Sequence, residues 1–216
     1  MAYEYTLPGG PILTPTRNPF NWTKVELVSR DITKEWLLVD EIADHLNLFG
    51  DTSQADYLEM LGLATRQAIE DIIGVPFADQ TWRVYYGGPT LYGSTVCLDM
   101  PESSGPVTIN SLKYWTDAAT PVEVTIDPAT YYYDASGNKL VCTTLPASIN
   151  SMMTAPVTLE YTITANAMAT YPVIKQAGFL LVTHFYNQRC ETVEKALQSI
   201  PFGVNTLLRN YKQLIM

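Results

Sequence analysis

The chain has 216 residues, of which 47% are hydrophobic and 16% charged, with a formal net charge of −9. That length holds one large domain or two small ones around a substantial core. The acidic balance excludes a dedicated DNA or RNA binder, which shows a basic face. The charged share is below the ~25% of ordinary soluble domains, so partners are expected to cover part of the surface. The 14 tyrosines have two readings, interface side chains with one dry and one wet end or simple strand propensity. Cys97, Cys142 and Cys190 form no Cys-x-x-Cys pair, which predicts neither a zinc site nor a disulfide framework and fits a reducing compartment. No secretory h-region follows Met1 and no run of ~18 apolar residues occurs, so no signal peptide or membrane span is expected.

In chain order, residues 1–27 read as an extended arm. Its Pro8, Gly9, Gly10, Pro11, Pro15 and Pro19 fix φ and remove backbone donors, which forbids a long helix. From Leu38, apolar Val39, Ile42, Ala43 and Leu46 recur at helical spacing, with Asp40, Glu41 and Asp44 near the positive end of the helix dipole. A second helix is predicted from about Ser53 to Ile73 and stops at Gly74 before Val75-Pro76. Its buried stripe is Tyr57, Leu58, Leu61, Thr65, Ala68 and Ile72, leaving Asp56, Glu59, Arg66, Gln67 and Glu70 outside. Met60 and Leu63 fall on that polar side. They either broaden the core stripe or contact a neighbouring molecule.

Between Gln80 and Tyr161 the period becomes two. Thr81–Tyr86, Thr95–Leu98, Val107–Ile109, Leu112–Trp115, Val122–Ile126, Tyr131–Tyr133, Lys139–Cys142 and Val157–Ile163 read as strands. Gly87-Gly88-Pro89, Asp127-Pro128 and Ser136-Gly137-Asn138 punctuate them. Short strands at this spacing predict a small sandwich or barrel-like module. Helical pattern then returns over Tyr171–Arg189, a Pro-started and nearly all-round apolar helix, followed by a second Pro-initiated segment. The expected fold class is α+β: a helical bundle of two N-terminal and further C-terminal helices, residues 28–79 and 167–216, with an antiparallel β domain, residues 80–166, inserted in it.

The enzyme templates find no purchase. No Gly-x-Ser-x-Gly elbow occurs, and neither Pro8-Gly-Gly-Pro11 nor the stretch Tyr86 to Ser94 opens a helix as a phosphate loop must. His45 and His184 read as packed or capping side chains. Asp40, Glu41 and Asp44 read as a solvated first turn before they read as a cation site. Glu70 and Asp71 are adjacent on a helix and point about 100° apart, which weakens an acid–base pair. The aromatic-rich β block (Trp82, Tyr85, Tyr86, Tyr92, Tyr114, Trp115, Tyr131 to Tyr133) reads as strand-face packing, with a sugar- or base-stacking platform as its alternative; it lacks the interleaved Lys and Arg of a single-strand nucleic-acid site. No catalytic, cofactor-binding or metal-ligating residue is expected.

What remains is contact chemistry. Residues 1–74, 75–171 and 172–216 carry −7, −5 and +3, an asymmetry that is either accidental or suited to head-to-tail packing of identical subunits. Pro201, Phe202, Val204, Leu207, Leu208 and Tyr211 are too many apolar groups for a free tail. With Met60 and Leu63 they are the expected contacts with a partner or a neighbouring copy.

Taken together, Trp36 to Leu46, Tyr57-Leu-Glu-Met-Leu61 with Ala64, Ile69, Glu70 and Gly74, Gln80-Thr-Trp82, Leu98-Asp-Met-Pro101, Ile109 to Trp115, Tyr131, Val157 to Tyr161, Tyr171-Pro-Val-Ile-Lys-Gln-Ala177, His184-Phe-Tyr186, Arg189 and Pro201-Phe-Gly-Val204 with Leu207, Leu208 and Tyr211 resemble the head–tail connector proteins of tailed double-stranded DNA bacteriophages. These are also called adaptor or head-completion proteins, and the likeness is to the version with an inserted β domain. It spans residues 28–212. Two features depart from that pattern: Ile163-Thr-Ala-Asn166 stands where an Ala-Gly-Tyr turn is usual, and the N-terminal arm is longer. The resemblance implies a non-enzymatic virion subunit without cofactors, assembled in the host cytoplasm and placed in the neck. It implies a homo-oligomeric ring, commonly of twelve copies, under the portal protein. That ring extends the channel for genomic DNA, which passes without sequence-specific binding, and carries the tail or further neck proteins, with no membrane involved. A tail-associated carbohydrate- or receptor-binding β module is the alternative.

Overall fold

The computed structural model describes residues 22–87, 91–92, 95–101, 105–188 and 202–212. The fold is α+β, with two antiparallel sheets and four α-helices among the described residues. The strands are β1 (Trp22–Arg30), β2 (Gln80–Tyr86), β3 (Leu91–Tyr92), β4 (Thr95–Asp99), β5 (Val107–Trp115), β6 (Glu123–Thr125), β7 (Tyr131–Asp134), β8 (Lys139–Cys142) and β9 (Val157–Ile163). Sheet A has the order β1-β2-β9-β5-β6 and sheet B the order β3-β4-β8-β7. Alternate residues of both sheets meet in one apolar core that includes Val84, Tyr86, Leu98, Leu112, Leu140, Leu159 and Tyr161. This is the expected sandwich: inward-facing residues at period two bury against the facing sheet.

The helices are α1 (Val39–His45), α2 (Ala55–Ile73), α3 (Pro172–Asn187) and α4 (Phe202–Leu208). Pro172 sits in the first turn of α3, where its missing N–H costs nothing. Gly74 ends α2 with φ of 73°, a left-handed conformation that favours glycine. Trp36 plugs the junction of the helices. Its indole donates to the Ala169 carbonyl at 2.8 Å, and its ring lies 4.9 Å from that of Phe77. A Cβ at Gly178 of α3 would meet the Trp36 ring at 2.6 Å. Glycine there admits the indole.

The structure changes three expectations. First, residues 22–27, assigned to the arm, are not an arm. They belong to β1, which continues to Arg30 and pairs with β2 from Trp22 opposite Tyr86 to Arg30 opposite Gln80. The expected arm boundary at residue 27 thus falls inside a strand. The β region also draws its edge strand from before α1 and α2, so residues 80–166 are not its whole extent. Residues 1–21 of the arm lie outside the described residues. Second, the buried stripe of α2 includes Arg66 and Glu70, at 0% and 2% exposure, with Ile69 and Ile73, whereas Ala68 and Ile72 are only half-buried. Third, Val107–Ile109 and Leu112–Trp115 form one strand with a register shift between Ile109 and Ser111. The short β3 is an addition.

Candidate assembly surfaces

The chemically richest point lies where α2 meets sheet A. The buried Arg66 guanidinium donates to the main-chain carbonyls of Lys34 and Asp31, in the strap between β1 and α1. Glu70, one helical turn on, accepts the Phe77 amide at 2.7 Å and lies 3.8 Å from both Arg66 Nε and Arg30 Nε. Arg30, at the end of β1, also binds Asp71 at 2.9 Å. Burial pushes the Glu70 carboxyl above its ordinary range, opposed by the Phe77 amide and the two guanidinium groups. A crevice of ≈ 290 Å³ opens beside this cluster, lined also by Val75, Pro76, Trp82 and Ile163. Every charge there already faces an opposite charge inside the chain. The cluster ties α2, the strap and β1 together, which is a structural use of ionic groups. Glu70 and Asp71 do diverge: one is buried, the other exposed.

The expected C-terminal contacts divide. Val204 and Leu208 are 0% exposed and share a core cluster with Ile69, Ile73, Phe77, Ile174, Ala177 and Leu181. As contact residues they are corrected: α4 folds back along α3, and these two side chains are core. Leu207 and Tyr211 are half-buried against the same cluster, with the Tyr211 ring 6.0 Å from that of Tyr171. Pro201 lies outside the described residues, as does the side chain of Phe202. Met60 is 55% exposed and Leu63 half-buried, so the two do not form one equally open face.

Exposed apolar groups that the sequence did not single out lie elsewhere. Phe49, between α1 and α2, is 93% exposed with φ of 49°, between Asn47 at 57° and Gly50 at 81°. A bulky side chain in the left-handed region is costly and held by its surroundings; here the Leu48 amide bonds Ala43 and the Asp51 amide bonds Leu48. Val122 and Met152 are 56% and 90% exposed at the far end of the sandwich. No period signals Phe49 or Met152, since each sits in a connection, and Val122 lies just before β6 although the period-two reading includes it.

Among the described side chains the aromatic residues do not gather on one face; Tyr132 is exposed, and the Tyr92 side chain lies outside the described residues. Tyr86 is buried, and Trp82, Tyr114, Tyr131 and Tyr133 pack against the sandwich core. Tyr85 and Trp115 line a hollow of ≈ 280 Å³ on the outer face of sheet A, together with Arg83, Lys113, Glu123 and Glu160. Its charges pair across strands, Arg83 with Glu160 at 2.9 Å and Lys113 with Glu123 at 3.3 Å. On the helical side His45 bonds Thr183 and stacks on Phe179, and Glu41 pairs with Lys175, which lowers its pKa. Among the described residues no group of three His, Cys, Asp or Glu side chains gathers as a metal site, and no helix is long and apolar enough to cross a membrane.

No family profile and no curated protein matches the chain. Solved structures do. The fold is similar to that of a chain in the neck of an empty GTA particle computed with C6 symmetry, with a TM-score of 0.56 and 23% identity over 89% of this chain and 97% of that one. A chain in the virion of a native gene transfer agent (GTA) particle gives 0.55 and 23% over 89% and 96%. A chain in the neck of a native GTA particle computed with C12 symmetry gives 0.52 and 20% over 89% and 97%. At these identities the likeness is one of fold, and it spans nearly the whole of each matched chain.

Proposed function

We propose that this chain is a structural subunit of the neck of a phage-like particle: a head–tail connector that forms a ring of identical copies beneath the portal, extends the DNA channel and carries the tail. The observation that supports it most is the shared fold over 96–97% of the length of virion and neck chains. The order of motifs in the sequence points the same way. In this reading the copies number twelve and the acidic body, −12 over residues 1–171, turns toward the lumen, where it repels phosphate and lets DNA slide. Met60, Leu63, Pro201, Phe202, Leu207 and Tyr211 remain the proposed contacts with the portal or the next copy, and exposed Phe49 joins them.

Native mass spectrometry of the purified protein, alone and with portal rings, tests this. The expected result is one ring stoichiometry, formed alone or on the portal. A chain that stays monomeric in both and binds glycans would overturn it. That outcome would favour the carbohydrate-binding alternative, for which the Tyr85–Trp115 hollow is the surface.

A further inference from the structure

Phe49 and a pair of tyrosines mark opposite ends of α3. The connection between α1 and α2 lies along the C-terminal half of that helix. His45 bonds Thr183 at 3.0 Å and stacks on Phe179 at 4.9 Å, and the Tyr186 hydroxyl donates to Gln54 at 3.2 Å. Phe49 stands between those two anchors, 93% exposed. At the other end, Tyr171 precedes the first turn of α3, and its ring meets that of Tyr211 edge-on, with centroids 6.0 Å apart. Tyr171 is exposed and Tyr211 half-buried. From Tyr171 to Tyr186 the helix rises ~20 Å, so a chain's own Phe49 stays clear of its own tyrosine pair.

The two ends carry opposite charge. Between Glu35 and Thr65 the chain holds no Lys or Arg, and the turn around Phe49 includes both Asp44 and Asp51. The Asn47 amide donates to the Asp44 carbonyl at 3.1 Å, and the Asp51 amide to the Leu48 carbonyl at 3.0 Å. Between Phe202 and Lys212 there is no acid, and Arg209 and Lys212 flank Tyr211. Asp44, Asp51, Arg209 and Lys212 are all exposed, and among the described residues none of them is in an ion pair. We propose that, in the ring described above, Phe49 of one copy docks on the Tyr171–Tyr211 pair of the next, with Asp44 and Asp51 facing Arg209 and Lys212; the inference rests on that ring reading.

Chemistry and symmetry both suit the contact. A third aromatic ring adds edge-on or offset to a pair already in that arrangement. The flanking charges steer the approach and penalise a wrong register. Phe49 holds a left-handed backbone that disfavours a bulky side chain, and its ring gains almost no burial within its own chain. A neighbour's surface supplies that burial. Because the contact joins two different surfaces of identical chains it is heterologous, and repeating it by rotation closes a ring, whereas a self-complementary patch would stop at two copies.

The test uses full-length protein, alone and on portal rings, in two differently tagged populations. One carries Thr52→Cys and the other Asn210→Cys, and the mixture is treated with a short bismaleimide. Both positions are exposed beside the proposed contact, and Ala119→Cys, exposed in the sandwich, is the control in place of Asn210→Cys. The expected result is a product carrying both tags, well above the 52–119 yield and falling about tenfold when Phe49→Asp is added to the Thr52→Cys copy. Arg209→Glu with Lys212→Glu in the Asn210→Cys copy should lower it too, and Asp44→Lys with Asp51→Lys in the other copy should restore it. Near-ultraviolet circular dichroism checks that Phe49→Asp folds, and Phe49→Ser replaces it if it does not. Equal yields for the two pairings, an unchanged yield with the Phe49 variant, no rescue by the charge swap, or linkage only within chains carrying both cysteines would overturn the inference. Native mass spectrometry of the same samples separates the two readings. Rings without the 52–210 product refute the docking and leave the connector proposal standing; the product without rings does the reverse.

Discussion

The helical region and the sandwich solve the same problem with different materials. The sandwich core is apolar almost throughout; it takes in the tyrosines Tyr86 and Tyr161, and the Tyr86 hydroxyl donates to the Asp99 carbonyl at 2.8 Å. The helical side instead buries Arg66 and Glu70 at its centre, with Arg30 reaching in from the sheet. An apolar core tolerates small rearrangements, because dispersion contacts have no fixed direction. A buried ion cluster does not, because removing one member strands the others without solvent. The difference teaches where each region is brittle: the sandwich in its volume, the helical region in its charge balance.

Five variants press on that contrast, in falling order of expected effect. Glu70→Gln leaves two guanidinium groups without their buried carboxylate and should cost about 3–5 kcal/mol in urea unfolding. Glu70→Leu combined with Arg66→Met should cost less than Glu70→Gln alone, and a larger loss in the pair would refute the charge-balance account. Leu208→Ala should cost about 2–4 kcal/mol; a loss near zero would return α4 to the surface. Gly178→Ala forces the Trp36 ring to move and should cost about 1–3 kcal/mol, visible also as a change in tryptophan fluorescence. Tyr86→Phe, the counterpart of Glu70→Gln in the sandwich, should cost only about 1 kcal/mol because a neutral carbonyl is all that loses its partner.

A pH series sharpens the sandwich side. Burial pushes the Cys142 thiol up to about 11 from the ordinary 9.0. The folded chain keeps a proton there that the unfolded chain releases, so this contribution is whole below pH 9 and lost as the pH rises through 11. The difference in stability between the parent chain and Cys142→Ala should shrink across that window.

Much of the architecture was legible in the residues. The strands of the sandwich show period-two alternation, and Gly74 and Pro172 punctuate helices as their backbone chemistry requires. β1 was not legible, because its pairing shifts register between Trp22 and Lys24 and again between Leu27 and Ser29, which breaks the alternation that reveals a strand. Arg66 and Glu70 were misplaced for a different reason. Hydropathy assigns charge to water, whereas their partners are carbonyls of an aperiodic strap and the amide of Phe77. The tail is visibly apolar in sequence, but composition alone does not separate a helix that docks on a neighbour from one that docks on its own α3. Exposed Phe49 and Met152 sit in connections and carry no period at all.

The pairing of β1 with β2 also sets an order of events on the ribosome. About 50 residues separate the two strands, so at ~5–20 residues per second β1 waits several seconds for its partner. During that interval α1 and α2 are synthesised, while residues 22–30 stay unpaired with an apolar Val25 and Leu27 among them. The pairing of β1 with β2 is a long-range step that local helix formation precedes, and a chaperone holding the nascent N-terminus would delay that pairing without delaying α1 and α2.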